Sequence, residues 1–367
     1  MANNTNLYGF VALQDLYNTR VATVAPDRIY TAINESLAEY TAILDAMMGA
    51  WVERTNAALM QFELPGSGTL QPLDEWGNPL PVQPSGSYQV AFPIQGGGTA
   101  FGDNRISRAH MTVQELERFT ADAMRRDRDW MIRHILAALY TPSTWPFMDK
   151  VGADGTSKGL GSITIQPLAN NDSVVYGRKA FKANATDNHY LAQAAAIADG
   201  ANPFPTIRAE LAEHPSNSGP YVAYVPSNLV SSINALTEFV EVGDPDINLG
   251  ANADTVDAPG AQVLGPGQTV LGKTKSGVWI VEMEALPDNY MLAFALGAGP
   301  VLRMREYAPA ELQGFFPEYH SPDGNLQLTR FLRYCGFGVA NRVGALAYRI
   351  GNANYAAPTD YVAPLPV

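Results

Sequence analysis

One cysteine, Cys335, stands among 367 residues, so no disulfide can close within the chain. A buried, inert thiol is the expected state. Positive charge is also scarce. Lys and Arg number 24 against 36 Asp and Glu, a net charge of −12, which disfavours nonspecific binding to nucleic acid through a basic surface. Charged residues of both signs make up only 16% of the chain, beside 32 Gly and 26 Pro. That balance implies much loop and turn, and fits a surface largely covered by neighbours. Long apolar runs are missing too. The longest, Tyr290 to Leu302, is too short and too broken by Gly and Pro to span a bilayer. The opening MANNTNLYGF has no basic segment leading into an apolar core, so no signal peptide is expected. The expectation is a soluble protein made in a cytoplasm, with a chain long enough for two or three core-forming units.

Signatures of chemistry are equally thin. The histidines at 110, 134, 189, 214 and 320 show no metal-ligand spacing with one another or with Cys335. Each is expected on the surface or in packing. Gly155-Thr-Ser157-Lys-Gly159 matches a nucleophile-elbow string, but a Gly-rich loop precedes it and a strand follows, the reverse of what the mechanism needs. Asp244, Asp246 and Asn248 alternate like the start of a calcium loop, yet Leu249 and Thr255 occupy the positions that require Gly and Glu. Glu282 and Glu284 share one strand face, about 7 Å apart, with no pocket partner in view. Gly96–Gly98 is not followed by Gly-Lys-Ser/Thr, so it is no phosphate loop; a hinge or a close backbone approach is expected. No active site, cofactor or metal is expected.

What the chain does have is long helices and a finger. Met111 to Tyr140 reads as one helix of roughly 45 Å. Thr112 and Glu115 have capping-box spacing, and Pro142 lies just beyond the end. Val113, Leu116, Phe119, Ala123, Met131, Ile135 and Ala138 give it an apolar stripe. That stripe breaks at the five charged residues Arg125–Asp129. Asp27 to Thr55 reads as a second amphipathic helix, from the three- and four-residue steps between Ile29 and Trp51. Met60, Phe62 and Leu64 alternate with polar residues, as do Tyr88, Val90, Phe92 and Ile94, so each set predicts a strand with one apolar face. Pro65 to Ser87 between them is rich in Pro and Gly and makes an irregular tip. An isolated two-stranded hairpin is marginal in water, so this finger is expected to lie against something, with a partner subunit the favoured candidate over the parent domain.

Farther on, strands are expected at Ser162–Gln166 and Ser173–Gly177, and helices near Asp187–Ala198 and Pro205–His214. Tyr221–Val225 reads as a buried strand, followed by a helix capped by Ser227. Thr269–Leu271, Val278–Glu282 and Met291–Leu296 read as strands, and Phe331–Ile350 closes the pattern. Strands and helices loosely segregated indicate an α+β class.

This order of elements resembles the major capsid proteins of tailed bacteriophages, which have the Hong Kong 97 (HK97-like) fold. The resemblance covers nearly the whole chain. It places an N-terminal arm and helix at residues 1–57 and an E-loop hairpin at 58–105. A P-domain with its spine helix at 111–140 takes 106–202, an A-domain 203–305, and the return to the P-domain with the C-terminal tail 306–367. SGPYVAYVPSNLVSSINAL looks like the A-domain strand and helix, and GKTKSGVWIVEMEALPDNYMLAFAL like its later strand pairs. The resemblance implies a non-enzymatic subunit that assembles with itself, as hexamers and pentamers, into an icosahedral shell around double-stranded DNA. Such a protein resides in the virion and is assembled in the host cytoplasm. Separate scaffolding, portal and decoration proteins are partners of the family, and packaged DNA lies on the inner face without specific binding. No membrane is involved. Met60, Phe62, Leu64, Trp76, Tyr88, Val90, Phe92 and Ile94 are then expected at contacts between subunits. Asp244, Asp246, Asn248, Asn252 and Asp254 belong to a loop expected to face a symmetry axis. Residues 58–95 contain no Lys, so an isopeptide cross-link from the E-loop is not expected. The alternative within the fold is an encapsulin-like nanocompartment shell; the alternative of another class is a soluble α+β hydrolase with an unrecognised site.

Overall fold

The computed structural model describes residues 26–64, 73–79, 86–104, 110–148, 162–174, 176–178, 182–184, 186–241, 268–320 and 326–365. The expected arm at 1–25, the nucleophile-elbow string and the loop carrying Asp244, Asp246, Asn248, Asn252 and Asp254 lie outside them. The described chain begins with helix α1 (Pro26–Met48), then β1 (Val52–Thr55), β2 (Leu59–Leu64), β3 (Gly86–Ala91), β4 (Gln95–Asn104) and the long helix α2 (Val113–Tyr140). Short strands β5 (Trp145–Met148), β6 (Ser162–Ile165), β7 (Tyr176–Arg178), β8 (Lys182–Asn184) and β9 (Tyr190–Gln193) follow. Then come α3 (Phe204–Ala212), β10 (Tyr221–Val225), α4 (Ser227–Asn234), β11 (Phe239–Glu241), β12 (Gln268–Thr274), β13 (Val278–Met283) and β14 (Tyr290–Ala295). The chain closes with β15 (Leu302–Glu306), β16 (Phe315–His320), β17 (Leu326–Val339) and β18 (Ala345–Ile350).

Helix α2 starts where its chemistry dictates. The Thr112 hydroxyl accepts the Glu115 N–H at 3.3 Å, and the Glu115 carboxylate accepts the Thr112 N–H at 2.9 Å. Two otherwise unpaired donors are thereby satisfied reciprocally. At the other end the Thr141 hydroxyl donates to the Ala137 carbonyl at 2.7 Å, and Pro142 prevents another turn. The charged waist is split between solvent and core. Arg125 and Arg126 pair outside with Asp122. Asp127 turns inward and accepts Nε and Nη2 of Arg333, each at 2.7 Å, and the Tyr40 hydroxyl at 2.9 Å. Both charged side chains are buried.

Two sheets frame this helix. One has the order β1-β15-β17-β16, with β4 on the other edge of β17. The 14 residues of β17 let β15 and β16 share one edge in succession while β4 runs along the opposite one. The other sheet has seven strands in the order β11-β12-β13-β10-β14-β18-β9. Both its faces are covered. Val222, Tyr224, Val281, Leu292 and Phe294 join Met131, Ile135 and Leu139 of α2. Ala223, Val225, Ile280 and Met291 on the other face meet Phe204, Ile207, Leu229 and Ile233 of α3 and α4. Double coverage explains why its central strands read as unbroken apolar runs rather than alternating ones.

Four local expectations need correction. The helix expected over Asp27–Thr55 stops at Met48, because Trp51 leaves the helical path to stack on Phe294 with centroids 5.0 Å apart and to donate Nε1–H to the Tyr224 hydroxyl. Val52–Thr55 then pairs parallel with β15. Gly96–Gly98 is no hinge. It lies inside β4, paired register for register with Leu332–Tyr334. A Cβ on Gly97 would stand 2.9 Å from the Trp130 ring, and one on Gly98 3.0 Å from the Phe331 carbonyl, so close approach is what requires the missing side chains. The helix expected near Asp187–Ala198 is instead the edge strand β9, parallel to β18, a case of tertiary pairing overriding helix propensity. Ser227 opens α4 without a side-chain cap, the N-cap position belonging to Pro226. Cys335 is buried as expected; its thiol donates to the Met131 sulfur at 3.4 Å, and burial pushes it far up from the usual thiol range. Among the described residues, no helix is long and apolar enough to cross a membrane.

Candidate functional site

The finger is the candidate for function, and its two ends behave differently. At the root, β2 and β3 pair antiparallel, with Met60 opposite Val90 and Phe62 opposite Tyr88. Period-two alternation puts these four side chains on one face. The Phe62 and Tyr88 rings stack at 5.4 Å, and the half-buried Met60, Phe62 and Tyr88 pack on Val90, Phe92 and Ala340. The Tyr88 hydroxyl donates to the Ala340 carbonyl at 3.2 Å, and burial, opposed by Arg342, pushes its pKa up to about 12. Ala91 points the other way, onto Ile163 and Ile165 of β6. The Phe92 carbonyl accepts Nη1 of buried Arg305 at 3.0 Å.

These contacts correct part of the expected interface. Val90 and Phe92 are fully buried and Ile94 nearly so, against their own chain rather than a sister copy. Their partners, Ala340 and Arg305, lie more than 200 residues on, so no local pattern announces them. Leu64 ends β2 with its backbone opposite Gly86.

Residues 73–79 near the tip form a small closed unit. Leu73 and Pro79 make a bridge. Asp74 organises what lies between: its carboxylate accepts the N–H of Trp76 at 2.8 Å and of Asn78 at 2.7 Å, while its backbone N–H donates to the Asn78 carbonyl. The donation from Asn78 is the main cause that holds the Asp74 carboxyl below the usual range. Gly77 takes φ +78°, a left-handed position that favours glycine. A turn this well braced holds its side chains outward. Trp76 is 87% exposed and Leu73 64%.

The segment carrying Asp244 to Asp254 is flanked in sequence by β11 and β12, an antiparallel pair at the edge of the seven-stranded sheet. Glu282 is half-buried and Glu284 exposed on β13 and its end. Three side chains that sequence spacing kept apart do converge: Asp187, His189 and His214 lie buried and mutually close. Among the histidines His134 is different again. Burial, aided by Arg133, drops its pKa to about 4, and its ring lies 4.1 Å from Trp130.

No family model and no curated protein matches the chain. Solved structures do. One described as Mycobacterium phage Patience aligns with a TM-score of 0.67 at 19% identity, over 96% of this chain and 95% of that one. The capsid of the cyanophage P-SCSP1u aligns with a TM-score of 0.49 at 10% identity, over 82% and 86% of the two chains. The asymmetric unit of the bacteriophage PhiM1 mature capsid gives 0.48 at 9%, over 83% and 85%. The first of these covers both chains almost end to end, and this chain has the α+β HK97-like fold.

Proposed function

We propose that this chain is a major capsid protein, a non-enzymatic subunit that assembles with copies of itself into the icosahedral shell around the double-stranded DNA of a tailed phage. The observation that carries the reading is the end-to-end fold match to a chain from a mycobacteriophage. The finger supports it: a braced turn holds an indole exposed, and an exposed aromatic is a common anchor at an interface. In this reading residues 58–105 are the E-loop, 106–202 and 306–367 the P-domain, and 203–305 the A-domain. The segment containing Asp244 faces a symmetry axis. Met60, Phe62, Leu64 and Tyr88 flank the surface that Trp76 leads onto a neighbour. The net charge of −12 lets packaged DNA lie against the inner wall without specific binding. Shells form in the host cytoplasm and persist in the virion, with separate scaffolding, portal and decoration proteins as partners.

The test is expression of the full chain, with size-exclusion chromatography and negative-stain microscopy. Megadalton closed shells are expected, and Trp76→Ala should reduce their yield at unchanged fold by circular dichroism. A wild-type chain that stays monomeric or dimeric at high concentration would overturn the proposal. A shell that encloses a cargo protein would instead assign the encapsulin-like role.

A further inference from the structure

The cluster of Asp187, His189 and His214 has an arrangement that a packing role does not call for. Nδ1 of His189 lies 2.7 Å from the Ala345 carbonyl and Nδ1 of His214 3.1 Å from the Gly177 carbonyl. A carbonyl only accepts, so both Nδ1 atoms carry protons. In the neutral rings each Nε2 is then a bare lone pair. The two Nε2 atoms nonetheless face each other at 3.2 Å, and both face Oδ2 of Asp187, at 3.1 Å from His214 and 3.4 Å from His189. Three acceptors thus converge with no donor between them. Independently, both carboxylate oxygens of Asp187 are buried without a hydrogen-bond partner, an arrangement costly to leave unanswered.

We infer that Asp187, His189 and His214 form a structural site for a divalent transition metal, with zinc the best fit. Zinc bonds to imidazole nitrogen and carboxylate oxygen of about 2.0–2.1 Å place tetrahedral ligands about 3.3 Å apart. The three edges, 3.1, 3.2 and 3.4 Å, outline one face of such a tetrahedron. Backbone carbonyls on the Nδ1–H groups are the usual outer support of metal-bound histidine, fixing tautomer and ring direction. Two nitrogens exclude the all-oxygen preference of calcium and magnesium. Glu213 stands beside this face, its Oε1 3.7 Å from His214 Nε2 and paired with Arg178 Nη2 at 2.8 Å, so it would ligate only by releasing that arginine. The three converging side chains are buried, which points to a closed, structural site rather than an open catalytic one. The ion would tie the residues before β9 to the end of α3, and through the Nδ1–H groups to the Gly177 carbonyl of β7 and the Ala345 carbonyl of β18.

The test uses the full chain without a polyhistidine tag, loaded with Zn2+ and dialysed. The result expected is retention of about one zinc per chain, falling to background in the His189→Gln/His214→Gln double variant and unchanged in His110→Gln, which alters an exposed histidine. Co2+ loading of the wild type should give the intense visible bands of four-coordinate cobalt, a readout that needs no variant to fold. A chelator should lower the melting temperature of the wild type and leave that of the double variant where it was. Wild-type zinc retention no greater than that of the double variant, or a weak six-coordinate cobalt spectrum, would overturn the inference.

Discussion

Asp127 and Asp187 are both buried carboxylates, and their surroundings differ in what they donate. Asp127 receives two N–H bonds from Arg333 and a third from the Tyr40 hydroxyl. Charge and donors are balanced inside one set of side chains, so the cluster is complete. Asp187 meets two imidazoles whose protons are already given to carbonyls. In the inferred site the metal ion completes its cluster. Counting which atoms can donate separates a structural ion pair from a ligand set more reliably than counting charges does.

The largest expected effect comes from breaking the complete cluster. Asp127→Ala leaves Arg333 buried and unpaired and should destabilise the chain by about 3–5 kcal/mol in urea melts. The Asp127→Ala/Arg333→Met double variant should recover much of that loss, because the stranded charge goes with it. A single-variant cost below about 1 kcal/mol would mean that Arg333 finds water instead. Asp187→Ala should behave in the opposite way. With a chelator present its stability should match or exceed wild type, and with zinc at a hundredfold its dissociation constant the wild type alone should gain about 2.7 kcal/mol.

His134 sharpens the contrast, being half-buried against the Trp130 ring with Arg133 nearby. Its folded pKa of about 4 lies below the ordinary 6.5. The unfolded chain therefore binds the proton first as pH falls, and stability is lost between those two values. Relative to His134→Gln, the wild type should lose about 3 kcal/mol from neutral pH down to the folded pKa, read by denaturant melts at each pH. A parallel pair of curves would refute the assignment. Thr112→Ala, which removes half of a capping box, should cost about 1 kcal/mol. Trp76→Ala should change stability by less than about 0.5 kcal/mol, while particle yield falls.

Much of this architecture was legible because local chemistry and global position agreed. The capping box, the stripe on α2 and Pro142 defined the long helix to within two residues of Val113–Tyr140. The alternation of Met60–Leu64 and Tyr88–Val90 marked the finger's strands. Illegible features depended on partners far along the chain. Trp51 leaves its helix for a slot between Tyr224 and Phe294, and nothing near Trp51 signals that. His189 and His214 are 25 residues apart and meet only because β9 and α3 are placed by the large sheet. The burial of Val90 and Phe92 depends on Ala340 in the same way. Trp76 is exposed because the Gly-Asn-Pro turn beside it leaves an indole nowhere to hide.

The ten-residue ladder between β4 and β17 sets how the finger answers load. Tension along the strand from the finger is shared by many rungs stretched sideways at once, instead of unzipping them singly. With glycines sealed under Trp130 and Leu332, there is no slack at the joint. Strain arriving there is handed on to β17 and the helix beneath, so a tug on one molecule's extremity is felt in its middle.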